Sequence, residues 1–234
     1  MRTHFLTVLV LLALLAAVPV LAQSPYGPSA ENAIRFRAGA FTPDGESQYW
    51  DDNAAIFGLT PSDFESLSVG GDFRWGLGPR SGLLFSVDIY SKEEASAYLD
   101  FIDSTGRPIV HDTELEVVSA TVAYVLDFAS RQSPVVPYVG VGGGAYDWTL
   151  TESGDFIDFD LFEPEIFTTT FEDSQTTLGW FFLLGVEFPV SHQMSIFGEA
   201  RWQDLDEDLG GDFEGLGNLD LSGRHLHAGI AWRF

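Results

Sequence analysis

The sequence contains no cysteine. That excludes a disulfide scaffold, a thiolate metal site, a cysteine nucleophile and a lipid-anchored cysteine behind a leader. Basic residues are scarce: 11 Lys and Arg stand against 35 Asp and Glu, a formal charge of −24 on 234 residues. Such a surface repels a phosphate backbone, so nucleic acid is excluded as a partner. Beyond Ala22 there is no continuous apolar run long enough for a transmembrane helix. A chain of this kind that enters a membrane does so as strands. What the sequence does have is 45% hydrophobic residues, enough for one domain with a substantial buried surface.

Met1 to Ala22 reads as a secretory signal peptide, with cleavage expected near Ala22. Arg2 supplies the positive start, Phe5 to Ala17 is an unbroken apolar run, and Val20-Leu21-Ala22 offers small residues where a peptidase inspects them. Residues 23–32 then form a short segment on the periplasmic side. Residues 33–234 form a single domain, with no linker long enough to divide it.

Throughout that domain the apolar residues alternate, the period of a strand with one apolar face. Ile34, Phe36, Ala38 and Ala40 oppose Arg35, Arg37 and Gly39. Leu67, Val69, Gly71, Phe73, Trp75 and Leu77 oppose Ser68, Gly70, Asp72 and Arg74. Leu83, Phe85, Val87 and Ile89 oppose Ser86, Asp88 and Tyr90. Val118, Ala120, Val122, Tyr124, Leu126 and Phe128 oppose Ser119, Thr121 and Ala123. A fifth strand, Pro137 to Tyr146, is so dense in glycine that its two faces are not separable by pattern. A sixth sets Leu178, Trp180, Phe182, Leu184, Val186 and Phe188 against Gly179, Gly185 and Glu187. The seventh sets Ile196, Gly198, Ala200 and Trp202 against Glu199 and Arg201, and the last sets Leu226, Ala228, Ile230, Trp232 and Phe234 against His225, His227, Gly229, Ala231 and Arg233. No segment of helical period is read between them. The connections alternate between long loops (42–63, 91–113, 150–175, 204–221) and short turns.

Period alone does not say which face is inside, because a soluble barrel such as a lipocalin alternates in the same way. Size does. The apolar face carries Trp, Phe, Leu and Ile at nearly every place, whereas the other face is mostly Gly, Ser, Ala and Thr with a few charges. An eight-stranded interior is only just wide enough for side chains. The bulky face therefore belongs outside, against lipid. Aromatics near strand ends (Phe73, Trp75, Tyr124, Phe128, Tyr146, Trp148, Trp202, Trp232, Phe234) read as two interfacial girdles.

The terminal strand resembles the C-terminal β-signal of bacterial outer-membrane barrels: His227 is its polar residue, Gly229 its glycine, and Trp232 and Phe234 its aromatics. In that family the barrel assembly machinery reads this strand. With Pro137-Tyr138-Val139-Gly140 and Phe197-Gly198-Glu199-Ala200-Arg201-Trp202, the whole mature chain is similar to the eight-stranded outer-membrane β-barrel family, in the broad OmpA/OmpX/opacity-protein class. The fold so implied is all-β: an eight-stranded antiparallel up-and-down transmembrane β-barrel with short periplasmic turns and long extracellular loops. The location implied is the outer membrane of a Gram-negative-type bacterium, with its lipid and lipopolysaccharide as surroundings. One departure is that no peptidoglycan-binding domain follows the barrel, so anchoring to the cell wall is not implied.

The charges expected inside are Arg35, Arg37, Asp72, Arg74, Asp88, Glu187, Glu199, Arg201 and Arg233. Both signs are present, as buried charges require, so they are read as ion pairs filling a narrow lumen rather than as the lining of a pore. The loop aromatics Phe156, Phe159, Phe162 and Phe167, interleaved with acids, are candidates for a surface that meets an extracellular partner. Asp204, Asp206 and Asp208 are the only candidates for a cation contact. They fail the EF-hand pattern, with Leu209 where its glycine belongs, so no metal is assigned. His225 and His227 lack a third ligand. No cofactor is implied, and no His/Ser/acid set marks an enzyme. The function expected is structural or surface-interacting. The alternatives are a narrow channel or transporter for small or hydrophobic solutes, as in OmpW-like barrels, and a soluble periplasmic binding barrel of the lipocalin kind.

Overall fold

The structure, a computed structural model, describes residues 31–159 and 164–234. The expected signal peptide, residues 23–30 and Phe162 lie outside the described residues. The strands are β1 (Ala33–Pro43), β2 (Ser66–Gly78), β3 (Ser81–Ile102), β4 (Pro108–Asp127), β5 (Val136–Asp158), β6 (Glu165–Pro189), β7 (Met194–Asp204), β8 (Asp206–Asp208), β9 (Asn218–Asp220) and β10 (Gly223–Arg233). Eight of them form a closed antiparallel barrel in the order β1-β10-β7-β6-β5-β4-β3-β2, and β8 and β9 make a separate two-stranded ribbon. Closure comes from β1 against β10, registered from Ala33 opposite Arg233 to Pro43 opposite Gly223. Within the ring it leaves no open edge.

Strand length sorts the molecule into two parts. β1, β7 and β10 have 11 residues each, which at roughly 3.4 Å per residue and a ~40° tilt rise about 28 Å, just enough for a lipid-facing band ~25 Å tall. β5 and β6 have 23 and 25 residues, so their far ends stand well above that band. The regions expected as the second and third long loops are therefore mostly sheet: β3 and β4 pair out to Ile102 opposite Pro108, and β5 and β6 pair to Asp158 opposite Glu165. Turn-like composition concealed them, because Thr, Ser and acids are acceptable on the outer face of a ribbon that stands in water above the membrane.

The outward face is the expected one: Phe36, Leu67, Trp75, Val122, Phe128, Leu178, Trp180, Ile196, Leu226, Ile230 and Trp232 are all exposed. Leu178, at 82%, is the most exposed large apolar side chain among the described residues. Trp75, Phe128, Phe188, Trp232 and Phe234 ring the end that carries the short turns. Toward the other end Trp180 and Trp202 are exposed, with Trp202 stacked on Phe182 at 4.8 Å between centroids. Tyr146 and Trp148 are a correction to the girdle: both point inward and are buried. Pro137 to Tyr146 resolves accordingly, with Tyr138, Gly140, Gly142, Gly144 and Tyr146 facing in. Gly185 shows why glycine recurs on the inner face, since a Cβ there would lie 2.2 Å from the Tyr138 ring.

The inside is also bulkier than expected. Leu84, Val125, Tyr138, Phe181 and Leu183 form a buried cluster there, and Phe197 is buried as well. The expectation of a small-residue interior fails because glycine opposite each large ring makes the room: Gly185 lies under Tyr138, and Gly229 against Phe197.

A second correction concerns residues 42–63. A helix, α1 (Gln48–Phe57), occupies the middle of that connection and is followed by a 3-10 turn at Pro61–Phe64. Ser47 caps its start, accepting from the Trp50 N–H, and Gly58, at φ +69°, closes its end. Both are ordinary helix boundary signals.

Val122, 42% exposed at mid-strand, tests which face meets lipid. Val122→Arg should cost roughly 2–4 kcal/mol in folding into lipid vesicles, measured by denaturant titration. An unchanged midpoint would mean that this face does not meet hydrocarbon.

Candidate functional site

The interior is filled in layers. Nearest the short turns, Arg74 donates to Asp127 at 2.8 Å; Arg131 donates to Asp127 at 2.9 Å and to Glu187 at 2.8 Å. Arg233 pairs with Glu187 and reaches Glu31 at 3.9 Å. Above these charges lies the apolar cluster of Leu84, Val125, Phe181 and Leu183. Over it sits a second charged layer of three arginines and three carboxylates. Arg37 is its hub, donating to Asp72 and, from Nη2, to both oxygens of Asp88 at 2.6 Å. Arg35 donates to Glu199 at 2.8 Å and to the Tyr138 hydroxyl at 3.1 Å, and Tyr138 donates to Glu199 at 2.9 Å. Arg201 closes the ring with Asp88 at 3.2 Å and Glu199 at 3.4 Å. The guanidinium planes also lie on aromatic faces, Arg35 at 3.8 Å from the Phe197 centroid and Arg201 at 4.3 Å from that of Phe181.

All nine charges expected inside are buried, and they divide between these two layers. Sequence reasoning missed Asp127 and Arg131. Asp127 continues the inward parity of Ala123 and Val125, which was the available signal; Arg131 lies in a turn, where parity gives none. His225 and His227 are buried beside the upper layer, their rings stacked at 5.2 Å and Phe41 stacked on His225 at 4.3 Å. The His225 Nε2 bonds the Gln203 side chain at 2.9 Å. Of the residues expected to form an assembly signal, His227 and Gly229 face in, while Trp232 and Phe234 are exposed on the outer face.

Above the charges, the barrel mouth is closed by an apolar cap. Tyr49 and Trp50 of α1, Leu59, Phe64, Leu205, Leu209, Phe213, Leu219 and Leu221 pack down onto Phe41, Tyr90, Leu115, Tyr146, Trp148 and Leu150 of the barrel wall. Polar pins hold it: the Trp50 Nε1 donates to the Asp220 carbonyl at 2.8 Å, and the Tyr90 hydroxyl donates to the Phe64 carbonyl. Asp206 accepts from the Asn218 amide at 2.7 Å across the β8–β9 ribbon, and Asp204 and Asp208 are exposed. Among the described residues no three His, Asp or Glu side chains converge as metal ligands.

Two buried carboxylates lie at this cap: Asp173 accepts from the Gly210 N–H at 2.8 Å and from the Gln175 side-chain amide at 2.9 Å, and Glu152 is the other. Glu152 is 7% exposed and accepts from the Tyr49 hydroxyl at 2.7 Å. Among the described residues no Lys or Arg pairs with it. It is 16 residues along β5 from Val136, a rise of about 40 Å that puts it above the lipid band. Burial pushes its carboxyl above the ordinary 4.5, and the Tyr49 hydrogen bond offsets this only in part. Burial, and then the facing Glu152, push the Tyr49 phenol up.

Two predictions follow from these layers. Arg37→Met strands Asp72 and Asp88 without their shared cation, so it should lower the unfolding free energy by about 3–5 kcal/mol in vesicles. The second concerns pH. Because the folded state raises the Glu152 pKa, its contribution to stability is complete below the unfolded value near 4.5 and is lost as pH rises through the folded value. Glu152→Gln keeps the acceptor for Tyr49 and removes the charge. It should raise the thermal midpoint at neutral pH, and the gain should vanish in acid; a lowered neutral midpoint would contradict this account.

The loop aromatics split. Phe156 is 6% exposed and stacks among Phe171, Phe167 and His111, so it is no part of an open surface; Phe159 and Phe167 are exposed. It is buried because its parity on β5 matches that of Trp148 and Leu150, which face the cap.

A family model described as "Outer membrane protein beta-barrel domain" matches residues 8–234. Among solved structures, the outer membrane protein OprG from Pseudomonas aeruginosa superposes with a TM-score of 0.51 at 12% identity, covering 88% of this chain and 96% of that one. Neisserial surface protein A (NspA) gives 0.45 at 18% identity, covering 88% and 98%. Ail, the attachment invasion locus protein of Yersinia pestis, gives 0.44 at 14% identity, covering 88% and 99%. No curated protein matches by sequence.

Proposed function

The chain belongs to the outer membrane beta-barrel protein family, and from that premise we propose that it is a closed, non-conducting barrel that carries a folded cap and two tall hairpins on the outer face of the membrane. Family membership implies the Gram-negative outer membrane and sets aside the soluble periplasmic barrel. The observation that carries the reading is the double closure of the lumen. The ring of Arg35, Arg37 and Arg201 with Asp72, Asp88 and Glu199 occupies its middle, and the apolar cap seals the mouth above it.

A conduit for small solutes would have to part both layers. Opening the first separates buried ion pairs, and opening the second exposes a core of large side chains to water. The role that suits this build is structural and surface-interacting, with acidic hairpins offered to an extracellular partner. Phe159 and Phe167, exposed near the top of β5 and β6, suit such a contact. His227, Gly229, Trp232 and Phe234, on the strand that closes the barrel, are the residues we assign to recognition by the assembly machinery.

Conductance of the purified protein in a planar lipid bilayer tests the reading. A silent bilayer is expected, from protein that migrates as a folded, heat-modifiable band. Reproducible unitary current steps would overturn it in favour of the channel.

A further inference from the structure

Above the cap, between α1, the β5–β6 hairpin and the loop that holds Phe213, lies a cavity of about 410 Å³. That volume is in the range of small-molecule sites. Its wall is a nearly unbroken chain of rings: Tyr98 to Phe57 at 4.7 Å, Phe156 to Phe171 at 5.0 Å, Phe171 to Phe213 at 6.3 Å and Phe213 to Tyr49 at 6.3 Å between centroids. The polar side chains among the lining residues include three carboxylates, Asp52, Glu152 and Asp212, and no Lys or Arg. Asp212 is fixed by the Glu172 N–H at 3.0 Å, and Glu152 by the Tyr49 hydroxyl.

Each half of this lining is common, but together they are selective. An apolar pocket by itself takes any oily molecule of the right size. A buried carboxylate without a cation is a cost to the fold that an apolar residue of similar shape would avoid. Placed among aromatic faces, that carboxylate gives a cation both a counter-charge and ring quadrupoles. The charge of −24 on the whole chain would draw a cation toward it. An anion would meet three carboxylates.

We propose that this cavity binds a small organic cation, with an aromatic or branched apolar body seated against Phe156, Phe171 and Phe213 and an ammonium group against Glu152. The site lies outside the closed lumen, so the inference goes beyond the non-conducting reading; it rests on that reading only for the closed cap, which supplies Tyr49 and Phe213 to the cavity wall, and a silent bilayer with no ammonium binding would overturn this inference alone.

The test uses the full mature chain folded in detergent micelles, titrated by calorimetry with three matched probes: 2-phenylethylammonium, 2-phenylethanol and phenylacetate. The ammonium should bind, the alcohol should bind at least about tenfold more weakly, and the carboxylate should show no heat of binding. Glu152→Gln should reduce ammonium affinity by about tenfold and leave that of the alcohol unchanged. Asp52→Asn, on the exposed side of α1, should reduce it by roughly two- to threefold without touching the fold. Alcohol binding as tight as ammonium binding would reduce the cavity to a plain apolar pocket and overturn the proposal. So would no binding of any probe, or ammonium affinity unchanged in Glu152→Gln. If Glu152→Gln does not give a heat-modifiable band, the ammonium-to-alcohol ratio on the native chain and the Asp52→Asn result decide.

Discussion

The pairing of β1 with β10 is the contact on which everything else depends. A sheet in hydrocarbon cannot leave a row of N–H and C=O groups unbonded, because no water is there to satisfy them. The chain answers by bringing its first and last strands together over eleven registered residue pairs. Once the ring is shut at eight strands, its diameter is fixed and is too narrow for a wide aqueous pore. The inner side chains must then fill the space themselves. Any charge among them must find its counter-charge within the lumen, because the residues next to it along its strand face lipid.

That requirement explains why the central layer is a ring and not a set of separate pairs. Arg37 reaches Asp72 on a neighbouring strand and Asp88 on a more distant one; Arg201 reaches Asp88 across the lumen, and Arg35 reaches Glu199 two strands away. Each carboxylate in it is shared by two guanidinium groups. With three charges of each sign, no member can be removed without leaving another uncompensated. The apolar layers on either side exclude water from this ring, which strengthens each bond and makes each loss more costly. Charge and grease therefore support one another in this interior: neither layer alone would both fill the lumen and hold the strands in register.

The barrel was legible from the chain because a strand wet or charged on one face and lipid-facing on the other must alternate, and alternation survives in any single sequence. Parity groups Arg35, Asp72, Asp88, Glu199 and Arg201 on one face, and the bulk of the opposite face puts them inside. The errors share a cause. Size does not decide residue by residue which side chains face inward, because it is settled between strands: Phe197 fits because Gly229 faces it, and Tyr138 because Gly185 does. The glycine pattern was visible, but its partner in each case lay on a strand whose register was not. The cap was missed for a different reason. Helix α1 is ten residues long and mixes Trp50, Tyr49 and Phe57 with polar residues, so its periodicity is weak, and only the Ser47 and Gly58 boundaries signal it. Trp148 was misread as a girdle residue because a tryptophan near a strand end serves a membrane interface and a buried cap equally well.

The cap also raises a question that stability alone does not answer. Its packed core of Trp50, Phe64, Leu115, Trp148 and Leu150 would be complete without an acid, and leucine or methionine at position 152 would avoid the desolvation that Glu152 incurs. The phenol of Tyr49 does not explain the acid either, since a neutral amide would accept the same hydrogen bond. The lumen shows how this chain otherwise treats buried carboxylates: Asp72, Asp88, Asp127, Glu187 and Glu199 each face an arginine. Outside the lumen the rule lapses: Asp173 accepts from the Gly210 N–H and the Gln175 amide, and Glu152 accepts from the Tyr49 hydroxyl at the edge of a ring-lined cavity that opens away from the membrane. A carboxylate left without a cation beside an aromatic wall is a place where a ligand from outside the chain would supply the counter-charge.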